Sequence, residues 1–494
     1  MTALKPFSPV GDPGILSSVG GLPCPLETWQ CAGVIGLVGM LLLWCWWVVR
    51  GRRAFETVAQ LKGFRWHRHT FCQHFLITGA TGSGKTLSGL LPLLFQVFKH
   101  QPRFGGFCVD VKGVLHEQVS AMAHHFGRDR DMVLLEVRPL NAPADWQPRH
   151  RFNLVGDRSI PYATYARCVV DTAVALGNRH EQSFFRRAAQ IHIAKALEAL
   201  AALGYEVTLE NAHNLLVNPP DTQAAIAQLG SLAPSQGLAE HFRNYLAQPP
   251  EQLAGITGTV ANYLQYFTLP PIAEVFCRDS TFELAELDQG RIICLALPQR
   301  YQTERRFVGT FLKLLFYTHA LARFDKPRSE RAADNLLVLL ADECQHFVTA
   351  SEDGLSDHAV VDVIREAGVA VLAATQSTTS LIPVLGAEQA RVFTLNLRNR
   401  LIFTAADEDD ARASAEFLGK VTRRERSLTR GDGRRTETVR EREEFRIPPH
   451  ELRQLRQHRC VLVHCTRGHR KVLLPPREAD GTVSRWFHRW SFGR

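Results

Sequence analysis

The sequence predicts an α/β protein with a mostly parallel sheet, an inserted all-helical domain and one N-terminal transmembrane helix. Three observations predict it. A glycine-rich turn joins a short apolar strand to an apolar helix at residues 79–86. Short apolar runs alternate with helical stretches from Phe71 to about residue 160 and again from 287 to 475, the pattern of β-α-β units. Between these parts, and once near the N-terminus, the strand signal gives way to helix.

The chain has 494 residues, enough for two or three domains and one large core. It is 45% hydrophobic and 22% charged, which excludes disorder as the default. A net charge of +9 suits nucleic acid or anionic lipid as partner. Eleven cysteines include no Cys-x-x-Cys pair, so neither a zinc site nor a disulfide framework is indicated. Cys72, Cys108, Cys294 and Cys460 lie in apolar runs and read as buried thiols.

Residues 1–26 read as a flexible Gly/Pro/Ser-rich tail, and residues 27–50 as the transmembrane helix. Thr28–Val49 carries no charge and places Trp29 at one end and Trp44, Trp46 and Trp47 at the other. About 20 helical residues cover a hydrocarbon core of ~30 Å, and the tryptophans suit its interfaces. No basic n-region or small-residue cleavage site marks a signal peptide. Arg50, Arg52, Arg53, Lys62, Arg65 and Arg68 follow, against Lys5 before, which places the bulk of the chain in the cytoplasm. Residues 51–70 read as a basic juxtamembrane linker. Residues 71–160 and 287–475 form two parts of one nucleotide-binding domain. The inserted helical domain takes 161–286, broken by Pro219-Pro220, Pro249-Pro250 and Pro270-Pro271. Lys420 to Arg446 reads as an exposed, highly charged hairpin or loop, and residues 476–494 as a C-terminal tail.

Gly79, Ala80, Thr81, Gly82, Ser83, Gly84, Lys85 and Thr86 form a complete phosphate-binding loop. Its turn exposes backbone N–H groups to a β-phosphate, Lys85 reaches the β- and γ-phosphates, and Thr86 offers a hydroxyl to Mg²⁺. His74–Thr78 reads as the buried strand before it, and Leu87–Phe98 as the helix after it. The second half of such a site is an apolar strand ending in acids. Leu336–Ala341 followed by Asp342 and Glu343 fits, with Asp342 for the metal and Glu343 for the attacking water. Val369–Ala374 is another apolar strand, ending in Thr375-Gln376-Ser377. There Gln376 is placed either to sense the γ-phosphate or to fill an ordinary turn. Arg365 ends the preceding helix, where it reads either as a guanidinium for a neighbouring subunit's γ-phosphate or as a surface partner of Asp362 or Glu366.

Together these elements resemble the type IV secretion coupling proteins, the membrane-anchored DNA-pumping ATPases of bacterial conjugation. The resemblance rests on the order of anchor, phosphate loop, Asp110-Val111-Lys112-Gly113 turn, helical insertion, Asp-Glu strand and Ala-Thr-Gln-Ser strand, over residues 27–475. It implies a RecA-like P-loop NTPase that binds ATP and Mg²⁺ in a homo-hexameric ring, in the bacterial inner membrane. It implies DNA bound without regard to sequence, and relaxase and secretion-channel proteins as partners. Lys85 and Thr86 then bind phosphate and metal, Asp342 and Glu343 form the metal and water site, Gln376 is the sensor and Arg365 the trans-acting arginine. The family's usual proline and acid are absent from the turn, where Val111 and Val114 stand. Only one span is present, where the family usually has two. Two other readings fit the same residues: a chromosome-partitioning or viral-packaging translocase, and a substrate-recruiting receptor in which ATP binding drives assembly.

Overall fold

A computed structural model describes residues 39–40, 57–177, 182–331, 333–351, 354–431 and 434–487. The chain divides into two compact units, Met1–Phe55 and Glu56–Arg494. In the first, only Gly39 and Met40 are described, and both are helical. The expected span at 27–50 otherwise lies outside the described residues. Among the described residues no helix is long and apolar enough to cross a membrane.

The second unit is organised by one nine-stranded sheet. Its strands are β3 (Phe75–Thr78), β4 (Gly105–Asp110), β5 (Met132–Glu136), β6 (Ile292–Ala296), β7 (Leu337–Asp342), β8 (Val369–Thr375), β9 (Asn399–Ile402), β12 (Arg459–His464) and β13 (Gly468–Leu473). The spatial order is β13-β12-β9-β3-β8-β7-β4-β6-β5. From β9 to β5 every neighbouring pair is parallel, while β12 runs antiparallel to both β9 and β13.

The central strands are apolar up to their carboxyl ends because both faces are covered. Along β8, Val369, Val371 and Ala373 enter one core, and Ala370, Leu372 and Ala374 enter the other. β7 divides the same way, with Leu337, Leu339 and Ala341 on one side and Val338 and Leu340 on the other. One face packs on the helices Leu91–His100 and Leu115–His125. The other packs on Gln302–Ala322 and Asp357–Ile364 and continues into the helical insertion. The chain leaves the sheet after β5 and re-enters it at β6, so the two flanking parts complete one sheet in space.

The insertion holds helices from Tyr162–Ala175 to Pro270–Phe276. Each proline pair read as a breaker instead opens a helix: Pro219–Ser231, Pro250–Leu264 and Pro270–Phe276. Proline's fixed φ suits the first helical turn, where its missing N–H is no loss.

Two boundaries need correction. The expected linker 51–70 carries the hairpin β1 (Thr57–Leu61) and β2 (Phe64–His67) and the short helix Arg68–Phe71. Val58, Ala59, Phe64 and Trp66 are buried in the core, and the Trp66 indole donates to Asn399 Oδ1 at 2.8 Å. The expected tail 476–494 begins as a packed segment: Phe487 is buried, and Gly481 lies against the Phe95 ring. The charged stretch after the helix Glu408–Leu418 is a long antiparallel hairpin of β10 (Lys420–Gly431) and β11 (Arg434–Phe445). Cys72, Cys108, Cys294 and Cys460 are buried and free.

Candidate nucleotide site

The glycine-rich loop follows β3 at the carboxyl edge of the sheet, between the ends of β8 and β9. Gly79 N–H donates to Gln376 O at 3.3 Å and Ala80 N–H to Thr404 O at 2.8 Å. Gly82 and Gly84 have φ of +79° and +100°, conformations that glycine adopts without a Cβ penalty. Lys85–Leu90 coils as one wide π-helical turn before the α-helix Leu91–His100. Such turns recur at functional sites.

β7 lies two strands away and ends at the same edge. Thr86 Oγ1 donates to Asp342 Oδ2 at 2.9 Å, and Lys85 Nζ pairs with Glu343 Oε1 at 2.9 Å. Lys85, Asp342 and Glu343 are all at most 8% exposed. Glu343 sits at φ +53°, in the left-handed region, which costs a non-glycine residue on the order of 1–3 kcal/mol and clusters at functional positions. Burial pushes the Asp342 carboxyl up, and the Thr86 hydroxyl and Lys85 offset this only in part. Burial also acts to raise Glu343, but hydrogen bonds from Gln345 and Lys85 outweigh it and hold that carboxyl below its ordinary value.

The donor set fits a magnesium-bound nucleoside triphosphate. Asp342 and Thr86 are hard oxygen ligands, Lys85 is a point charge, and the buried Ser83 hydroxyl has no protein partner. Among the described residues no three His, Cys, Asp or Glu converge on one point. A metal here would therefore complete its shell with phosphate oxygens and water.

Gln376 is exposed at the end of β8, beside the loop. Arg365 lies elsewhere. It caps the helix Asp357–Ile364, ahead of β8, and its charge acts on His74 at the amino end of β3. The length of a strand, roughly 13 Å at ~3.3 Å per residue, separates it from the loop of its own chain. Asp110 is buried and accepts the N–H groups of Val114 and Leu115, so it starts a helix. The turn beside it is held by buried Arg305, which donates to Leu297 O at 2.6 Å and to Val111 O. A Cβ on Gly113, at φ +70°, would meet both Arg305 and Leu297 O within 2.5 Å. Lys112 is exposed on that turn, and its charge favours the ionised form of both Asp342 and Glu343.

Two further contacts with the loop come from a distant part of the chain. Gln457 Nε2 donates to Gly82 O at 2.9 Å, and His458 N–H to Ser83 O at 3.0 Å. The His458 ring is buried, with Nδ1 2.8 Å from Ser88 Oγ. No local motif announces these residues. Gln345, two positions beyond Glu343, could have been suspected from proximity alone.

The sheet order defines a mixed α/β protein with a large, mostly parallel sheet, and this edge is its candidate nucleotide site. The model of the family "Type IV secretion-system coupling protein DNA-binding domain" matches residues 58–475, and the chain belongs to that family. Among solved structures, the unbound bacterial conjugative coupling protein TrwBdeltaN70 is similar, with a TM-score of 0.65 at 17% identity, over 86% of this chain and 90% of that one. The plasmid coupling protein TrwB with the non-hydrolysable GTP analogue GDPNP matches at 0.62 and 18%, over 85% and 89%. TrwB with ADP and Mg²⁺ matches at 0.61 and 18%, over 85% and 89%. No curated protein matches the chain.

Proposed function

We propose that the chain is a membrane-anchored, Mg-ATP-driven DNA translocase that couples a DNA-processing complex to a type IV secretion channel. The observation that carries this is the closure of the phosphate loop on the acidic end of β7, through Lys85–Glu343 and Thr86–Asp342, in a chain of this family. Structures of TrwB with ADP and Mg²⁺, with an ATP analogue and with a GTP analogue support nucleotide as the ligand.

The reaction is cleavage of the β–γ bond by water. Without nucleotide, Lys85 and Glu343 satisfy each other. An arriving triphosphate gives Lys85 a stronger anion, which frees Glu343 to orient water and take its proton. Thr86 and Asp342 would hold magnesium, which when bound neutralises charge building on the phosphate oxygens. Gln376 senses the γ-phosphate. Arg365 lies a strand's length from its own loop, so it serves a neighbour in a ring, in which six subunits enclose the DNA. Contacts to the phosphate backbone make DNA binding independent of sequence and sensitive to salt. Residues 27–50 anchor the chain in the bacterial inner membrane, and the helical domain faces the relaxase side.

Hydrolysis by the full chain, with and without DNA, tests this. Turnover should rise with DNA and vanish in Lys85→Ala and Glu343→Gln. Turnover indifferent to DNA would favour the substrate-recruiting receptor.

A further inference from the structure

The C-terminal segment runs back along the helix that follows the phosphate loop. Leu474 N–H donates to His458 O at 2.9 Å, which starts it beside the loop's support. A tight turn at 478–482 places Gly481, at φ +81°, against Phe95, where a Cβ would come within 2.3 Å of the ring. The segment then returns: Ser484 N–H donates to Pro476 O at 3.0 Å. Phe487 is buried with its ring edge-on to His458, 5.4 Å between centroids. Trp486 lies 5.6 Å from the same imidazole but remains 48% exposed. It is the one tryptophan so exposed among the described residues.

His458 joins this aromatic pair to the loop. Its Nδ1 bonds Ser88 Oγ, and a Cβ on Gly84 would come within 2.6 Å of that nitrogen. The loop has two sides. Asp342, Glu343 and Gln376, at the ends of β7 and β8, mark the side of the γ-phosphate. The α-phosphate, ribose and base must leave on the other side, toward β9 and β12, where His458 and Trp486 stand.

We propose that Trp486 is the platform on which the purine ring of the bound nucleotide stacks, so that residues 475–487 form one wall of the nucleotide site. This rests on the nucleotide site proposed above. An exposed indole held by a buried neighbour presents a rigid π-face at low entropic cost. Stacking on it needs no hydrogen-bond readout, because every base has a π-face. The site therefore takes adenine and guanine nucleotides with similar affinity.

The test compares two magnesium-bound probes, a non-hydrolysable ATP analogue and inorganic tripolyphosphate, on the full chain by calorimetry. Trp486→Ala should weaken the analogue about tenfold or more and leave tripolyphosphate within about twofold, since that probe has no base to stack. Trp486→Phe should restore most of the loss. Equal weakening of both probes would mean that the segment only props the loop, and unchanged or tighter analogue binding would mean that it stacks nothing. Either result overturns the proposal. If the unaltered chain binds neither probe, the nucleotide reading itself falls, and this inference with it.

Discussion

Asp357→Ala is the substitution whose cost the structure defines most fully. Asp357 is 2% exposed and accepts from four donors. These are the Lys313 ammonium, the Tyr317 hydroxyl at 2.7 Å, and the Thr349 N–H and hydroxyl at 2.7 and 3.0 Å. Lys313 is equally buried and otherwise reaches Phe347 O at 2.6 Å. Burial pushes the Lys313 pKa down, and Asp357 only partly restores it. Truncating the carboxylate leaves that ammonium without a counter-charge, a loss of about 3–5 kcal/mol. Unfolding entropy of ~2.1 cal/mol/K per residue over roughly 440 residues is about 0.9 kcal/mol/K, so the melting temperature should fall by about 3–5 °C. Replacing both partners, Asp357→Leu with Lys313→Met, should recover most of the loss, because an apolar pair strands no charge. The network also ties the loop after Glu343 to the helix Gln302–Ala322, so turnover should fall in the single variant. Thermal melts of the nucleotide-free parent, single and double variants read the stabilities, and hydrolysis assays read the turnover. A single variant melting within about 1 °C of the parent would refute the reasoning.

Three other outcomes follow from the same geometry. Arg365 lies a strand's length from its own loop, so, if it acts on a neighbour as proposed, mixed subunits of Arg365→Ala and Lys85→Ala, each inactive alone, should regain hydrolysis at about a quarter of sites; a mixed assembly that stays inactive would refute action in trans. Burial lowers the His74 pKa to about 4, with the Val361 carbonyl opposing the shift and Arg365 adding to it. The unfolded chain then binds more protons below pH 6.5, and stability falls as the pH drops toward 4. The loss at pH 5 is about 2 kcal/mol, and melts of His74→Gln should show a shallower acid slope. Burial raises the Asp342 pKa, so protons compete with magnesium at a higher pH than for an ordinary carboxylate. Magnesium-dependent nucleotide affinity, measured by titration, should weaken on acidification in the parent but not follow that curve in Asp342→Asn.

What was legible in the sequence was what is local. The turn at 79–86 carries its own spacing, and the strands β7 and β8 are apolar up to their last residues because both faces are covered. The hairpin of residues 57–67 was not legible. Lys62 and Arg65 gave it the look of a basic linker, yet both point to solvent while Phe64 and Trp66 turn inward. β13 was missed for a related reason: Gly468–Leu473 is a sheet-edge strand with His469, Arg470 and Lys471 in its middle. His458 gave no signal at all. It adopts φ +63° and meets Ser88 from 370 positions away, a contact that only the completed sheet creates. Residues 476–494 read as a tail, and the place of Trp486 and Phe487 beside the phosphate loop depends on that same sheet.

The central claim is that hydrolysis at the Lys85–Glu343 edge moves DNA. The most direct measurement is displacement of streptavidin from the end of biotinylated single- and double-stranded DNA by the full chain. ATP should release streptavidin from at least one substrate, while a non-hydrolysable analogue, or ATP with Glu343→Gln, should release none. DNA-stimulated turnover with no displacement from either strand form would contradict the account.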